Sequence, residues 1–162
     1  MTFELNELRR DFLKLEYVAP NGVSHWGGID LNITIDQWKL EIIDDPEDSS
    51  MGRCDKKDYK IMINNHHIEN VNDFKNTLLH EMIHAYEYML PETYKQYLVL
   101  FIYQRIQWKR LGNRALKKLI KMDQHADMLV HTLLFLLKSI QLDLARRLPL
   151  GTIYGYGREK LF

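Results

Sequence analysis

The stretch TLLHEMIHAYEYM, residues 77–89, decides how the rest of the chain is read. Leu78, Leu79, Met82 and Ile83 recur at helical spacing, and among them sit His80, Glu81 and His84. On an α-helix, residues four apart lie about 40° apart around the axis and one turn along it. Two imidazoles in that register can share one Zn²⁺ ion, and a glutamate beside the first can take a proton from a water that the metal activates. Two histidines and a glutamate on a helix are also common polar surface. Here the apolar neighbours argue that the motif is not fully exposed.

A catalytic zinc has three protein ligands and keeps one position open. After His84 the next histidine is His125, so a third ligand soon after the motif would be an acid. Glu87 shares the helix face and would be strained, and Glu92 follows the break at Pro91. Better candidates lie in DQHAD, residues 123–127, with His131 beyond. These acids and imidazoles sit among Met122, Ala126, Met128, Leu129, Val130, Leu133 and Leu134, where burial without a partner is expensive. The competing reading is a helix with one wet edge, because Asp123, Asp127 and His131 follow one another at steps of four.

Working outward, Asn72 or Asp73 can cap the motif helix, which runs to Leu90 and stops at Pro91. Upstream, YKIMI at 59–63 reads as a short strand, and 44–50 as an acidic turn containing Pro46. Residues 29–35 alternate apolar and polar, the mark of a half-buried strand, with 38–43 as its partner. Residues 2–16 read as an amphipathic helix. Downstream, Tyr94, Tyr97, Leu98, Phe101, Ile102 and Ile106 mark a helix ending near Gly112, and 114–148 continue the helical pattern. A helix of that length would span about 50 Å, so a break or kink is expected within it. The tail from Gly151 is Gly- and Tyr-rich and reads as irregular. A small sheet followed by packed helices makes an α+β fold, expected as one domain over residues 1–162.

TLLHEMIHAYEYM is similar to the active-site helix of zincin metallopeptidases, and MGRCDKKDYKIMIN before DFKNTLLHEMIHAY resembles the SprT-like group. In that group a Gly-containing turn and a short strand precede a helix of the form TLLHEMxHA. The likeness covers residues 51–89. SprT-like proteins then place a third histidine in a His-Gly pair, and this chain has no such pair. Instead Asp123-x-x-Ala126-Asp127 resembles the Glu-x-x-Ala-Asp of gluzincins and, more loosely, of ImmA/IrrE-like peptidases. Carried over, the resemblance makes His80, His84 and Asp123 the zinc ligands, with His125 the alternative to Asp123. Asp127 would hold His80 or His84 by a hydrogen bond.

The resemblance implies a zincin-like zinc metalloprotease, a hydrolase of peptide or protein substrates, with Glu81 as general base and then proton donor. His131, Tyr154 or Tyr156 could steady the oxyanion. The strand at 59–64 would receive an extended substrate by edge pairing. Hydrolysis of a non-peptide amide follows from the same chemistry.

Other signals point elsewhere. His66 and His67 are adjacent and read as a solvated loop, because neighbouring side chains point apart. Cys54, the one cysteine, excludes an internal disulfide and lacks a histidine partner that would make it a nucleophile. The chain of 162 residues carries 22 basic and 22 acidic side chains, yet residues 1–90 hold 17 acids and 9 bases while 91–162 hold 5 and 13. That split excludes a uniformly basic nucleic-acid binder but leaves a two-faced molecule. Arg105, Lys109, Arg110, Arg114, Lys117, Lys118 and Lys121 form a basic stripe without an intervening acid. A solvated helix face is the default for it, and nucleic-acid backbone contact the second reading. The rival function is accordingly a non-catalytic zincin-fold binding protein that holds nucleic acid or a protein partner through 105–121. The N-terminal MTFELNELRR has acids where a signal peptide needs a basic start, and the most apolar run, 128–137, is half a membrane span. A cytoplasmic protein without membrane partners is the expectation.

Overall fold

The computed structural model describes residues 38–109 and 131–155. The chain divides into two compact units, Met1–Met89 and Leu90–Phe162. The boundary falls where the net charge of the sequence changes sign.

In the first unit, β1 (Lys39–Ile43), β2 (Gly52–Asp55) and β3 (Lys60–Asn64) precede a 3-10 turn at Asn65–His67 and helix α1 (Val71–Met89). The sheet order is β1-β3-β2. β1 runs parallel to β3, Lys39 facing Lys60 through Ile43 facing Asn64; β2 runs antiparallel, Gly52 facing Ile63 through Asp55 facing Lys60. The strand expected at 59–63 is therefore present, but it is the centre of the sheet. This corrects the expectation of an edge that receives substrate: β1 and β2 already use both of its hydrogen-bonding sides. β3 is the most apolar of the three, with Ile61, Met62 and Ile63 buried, so it takes the position with the least water.

Where the resemblance implies a Gly-containing turn before the strand, Gly52–Asp55 form β2. Gly, Arg, Cys and Asp have little intrinsic strand preference, and the ladder to β3 supplies what they lack. The β2–β3 connection is closed by Asp55, whose Oδ1 accepts from the amides of Lys57 (2.8 Å) and Asp58 (3.3 Å). The acidic loop expected at 44–50 is held by Asn64, only 1% exposed. Its side chain accepts from the Asp45 amide at 3.0 Å and donates to the carbonyls of Asp45 (2.7 Å) and Asp48 (3.0 Å).

α1 is capped by Asn70 rather than Asn72 or Asp73. The Asn70 Oδ1 accepts from the amides of Asn72 (2.8 Å) and Asp73 (3.1 Å), two of the donors a helix start leaves free. The helix packs on β2 and β3, burying Leu78, Leu79, Met82, Ile83, Ala85 and Tyr86.

The second unit holds α2 (Glu92–Lys109) and α3 (Leu133–Arg146), which pack on each other. Leu98, Ile102 and Ile106 form the buried stripe of α2; Leu134, Phe135, Leu137 and Ile140 belong to that of α3. The expected interruption of the downstream helical pattern is found. Thr132 is extended and its hydroxyl accepts from the Phe135 amide at 3.1 Å, so a new helix starts at Leu133. Asp143 is fully buried, and its carboxylate accepts from the amides of Gly151 (2.8 Å) and Ile153 (3.0 Å), fastening the following turn to α3. The expected elements at 2–16 and 29–35 lie outside the described residues. Among the described residues, no helix is long and apolar enough to cross a membrane.

Candidate metal centre

α1 puts His80, Glu81 and His84 in the middle of its buried stretch. His80 and Glu81 are 5% and 3% exposed, and His84 is half-buried. The two imidazole centroids stand 5.2 Å apart with planes at 72°, the arrangement that the i, i+4 register allows. A histidine as buried as His80, beside an equally buried glutamate, is not part of a solvated helix edge.

An aromatic row extends from His84. Tyr88, one turn later, stacks on it at 6.4 Å and 22°. Trp38 stacks on Tyr88 at 6.3 Å and 19°, and Tyr59 meets Trp38 edge-on at 5.5 Å. The Lys56 ammonium lies 5.5 Å from the Tyr88 ring centroid, within cation–π range. Nothing in the local sequence around Trp38 or Tyr59 announces that their rings line up with a helix later in the chain.

Burial alone pushes the Glu81 carboxyl from its ordinary 4.5 up to about 8. In the metal-free protein this has a definite sign. The folded state keeps its proton up to about 8, while the unfolded chain loses it near 4.5, so the unfolded state binds fewer protons in between. The contribution of this group to stability is therefore full below the unfolded value and declines as the pH rises through that window, by at most about 1.4 kcal/mol for each pH unit. Melting of the metal-free wild type and of Glu81→Gln should accordingly diverge between pH 5 and pH 8, with the wild type losing ground. A melting difference that stays constant with pH would contradict this.

The Cys54 thiol is also pushed up, first by burial and then by the charges of Glu81 and Asp55. It stays protonated and is a poor nucleophile, in line with the sequence reading.

His131, at the start of the second described segment, is 9% exposed. Its ring lies 4.3 Å from that of Phe135 and 5.1 Å from that of Tyr154. His80, His84 and His131 together could hold a metal ion: each offers one ring nitrogen, and these nitrogens lie within 4.8 Å of one another. His131 stood in the sequence as one of several downstream donors and as an oxyanion partner.

Asp123, His125, Asp127 and Tyr156 lie outside the described residues. Glu87 is buried at 6% exposure. Glu92 is exposed and pairs with Lys95 at 3.3 Å. His66 and His67 turn to different partners, His66 Nδ1 to the Asp44 carboxylate at 3.3 Å and His67 Nε2 to the Asp48 carbonyl at 2.7 Å. They brace the acidic loop rather than share a ligand. Of the basic stripe, the backbone of Arg105 and Lys109 lies on α2, and the other five residues fall outside the described ones.

Residues 36–97 match the family model of the SprT-like family, a span that includes the whole sheet, α1 and its two histidines. Neither the curated proteins nor the solved structures yield a match.

Proposed function

We propose, with the SprT-like match over residues 36–97 as premise, that the chain is a zinc-dependent metalloprotease in which His80, His84 and His131 hold the metal and Glu81 moves the proton. The observation that carries this reading is the donor set itself. Three imidazoles, one nitrogen each within 4.8 Å, suit Zn²⁺, and among the described residues they supply three of the four positions a catalytic zinc uses. A buried glutamate adjoins the first of them.

Zinc bound there supplies a Lewis acid for the scissile carbonyl and makes water acidic enough to attack near neutral pH. Glu81 accepts the proton of the attacking water at its carboxylate and returns it to the departing amine nitrogen. Tyr88 restricts the His84 ring by stacking on it, so that the nitrogen presented to the metal keeps its direction. The exposed aromatic surface of Tyr88 and Tyr59, 43% and 44% exposed, borders this centre and offers contact for substrate side chains.

Unfolded casein is a suitable probe, because an enzyme without a known sequence preference needs many peptide bonds to choose from. Hydrolysis should disappear on dialysis against a chelator and return with stoichiometric Zn²⁺. Hydrolysis that continues after the metal has been removed would overturn the proposal.

A further inference from the structure

β2 begins at Gly52, and Gly52 lies directly against the residue assigned the proton transfer. Its glycine identity does not come from backbone conformation. Among the described residues the glycines with left-handed φ are Gly151 and Gly155, and Gly52 is an ordinary strand position facing Ile63. Space is the reason. A β-carbon at residue 52 would stand 2.8 Å from Thr77 Cγ2, 3.0 Å from Glu81 Cγ and 3.1 Å from Glu81 Oε1. Carbon atoms in favourable contact sit about 3.5–4.0 Å apart, so even a methyl group does not fit.

We propose that Gly52 is a positioning residue for Glu81: the bare backbone of β2 backs the Glu81 side chain and holds its carboxylate in one place. The inference rests on the reading of Glu81 as the group that moves the proton. Of the three neighbours that could yield to a methyl at 52, Glu81 is the softest. Thr77 is β-branched, 8% exposed and on the same helix one turn earlier, which leaves its methyl few alternatives. β2 itself is tied down by its ladder to β3, and the amide of Asn64 donates to the Met51 carbonyl at 2.8 Å, just outside that ladder. The Glu81 side chain has three rotatable bonds and, in this site, yields most readily. A side chain at 52 therefore swings the carboxylate away and leaves the imidazoles of His80 and His84 where they are. A displacement of about 1 Å in a reacting group is enough to cost about 100-fold in rate.

The test compares wild type, Gly52→Ala, the double variant Gly52→Ala/Thr77→Ser and Glu81→Gln, each loaded with Zn²⁺. Crystal structures of the first three are read for the Glu81 carboxylate. Zinc affinity is read by competition with a chromophoric chelator, and kcat and KM are measured on casein. Gly52→Ala is expected to move Glu81 Oε1 by about 1 Å or more, to keep the β2–β3 ladder and zinc affinity, and to lose about 100-fold in kcat with KM unchanged. The double variant removes the 2.8 Å conflict with Thr77 and keeps both conflicts with Glu81. It should fold and still show the displaced carboxylate and the lost kcat, which preserves the test if the single variant folds poorly.

A carboxylate that stays in place while β2 moves aside overturns the proposal, as does full activity in the double variant beside an inactive Glu81→Gln. If Glu81→Gln itself hydrolyses casein at the wild-type rate, the assignment of the base falls instead. The position of the carboxylate in the Gly52→Ala crystal still decides what Gly52 does.

Discussion

Glu81→Gln is expected to lower kcat on casein by about 10³-fold or more while zinc still binds at wild-type affinity. Glutamine has nearly the volume of glutamate, so it fills the same crevice beside Gly52, where Glu81 is 3% exposed. What it loses is the ability to accept a proton, and positioned acid–base groups of this kind contribute about 10² to 10⁴ in rate. The histidines on either side are untouched, so the metal stays. The same exchange also removes a carboxyl that burial holds at about 8, and the metal-free variant should melt higher than metal-free wild type at pH 8. Loss of activity together with loss of zinc would mean that Glu81 acts as a ligand or a prop. Wild-type hydrolysis would remove it from the chemistry altogether.

His84→Ala has the second large effect, and it is read in metal binding and melting as well as in activity. The substitution deletes one of three nitrogens and the ring on which Tyr88 stacks. Changing only the hydrogen-bond partners of metal ligands costs about 10–100-fold in metal affinity, so deleting a ligand should exceed about 100-fold. At a zinc concentration 100 times the wild-type Kd, bound metal stabilises the fold by about 2.7 kcal/mol. A domain of this size responds with about 2–4 °C per kcal/mol, which puts the loss at about 5–10 °C in Tm, present with zinc and much smaller in chelator. A variant that melts and binds zinc like the wild type would show that His84 is a packing residue.

Much of this centre is legible in the sequence, because it is written in local periodicity. Helical spacing of Leu78, Leu79, Met82 and Ile83 located α1, and the i, i+4 pair located the two histidines on it. Features that depend on partners distant in sequence were not legible. β2 has no alternation to betray it, since its strand character comes from β3. β3 was recognised as a strand, but its central place depends on β1 and β2 pairing with it on opposite sides, which a short apolar run does not encode. The sequence does not single out Asn70 as the cap because Asn70, Asn72 and Asp73 are all good caps, and only the backbone geometry chooses among them. His131 is one donor among several in the sequence, because the break expected within 114–148 has no marked position there; Thr132 caps a new helix and leaves His131 just before it. Gly52 carried no warning either, for the need for empty space appears only once strand and helix are packed.

The proposed chemistry requires that His80 and His84 share one metal ion with His131. Crystals grown with Zn²⁺, measured on both sides of the zinc absorption edge, test it most directly. One anomalous peak is expected about 2.0–2.1 Å from a ring nitrogen of each of the three histidines, with Glu81 beside it and not bound to it. A map with no peak there, or with His80 and His84 directed at different sites, would contradict it.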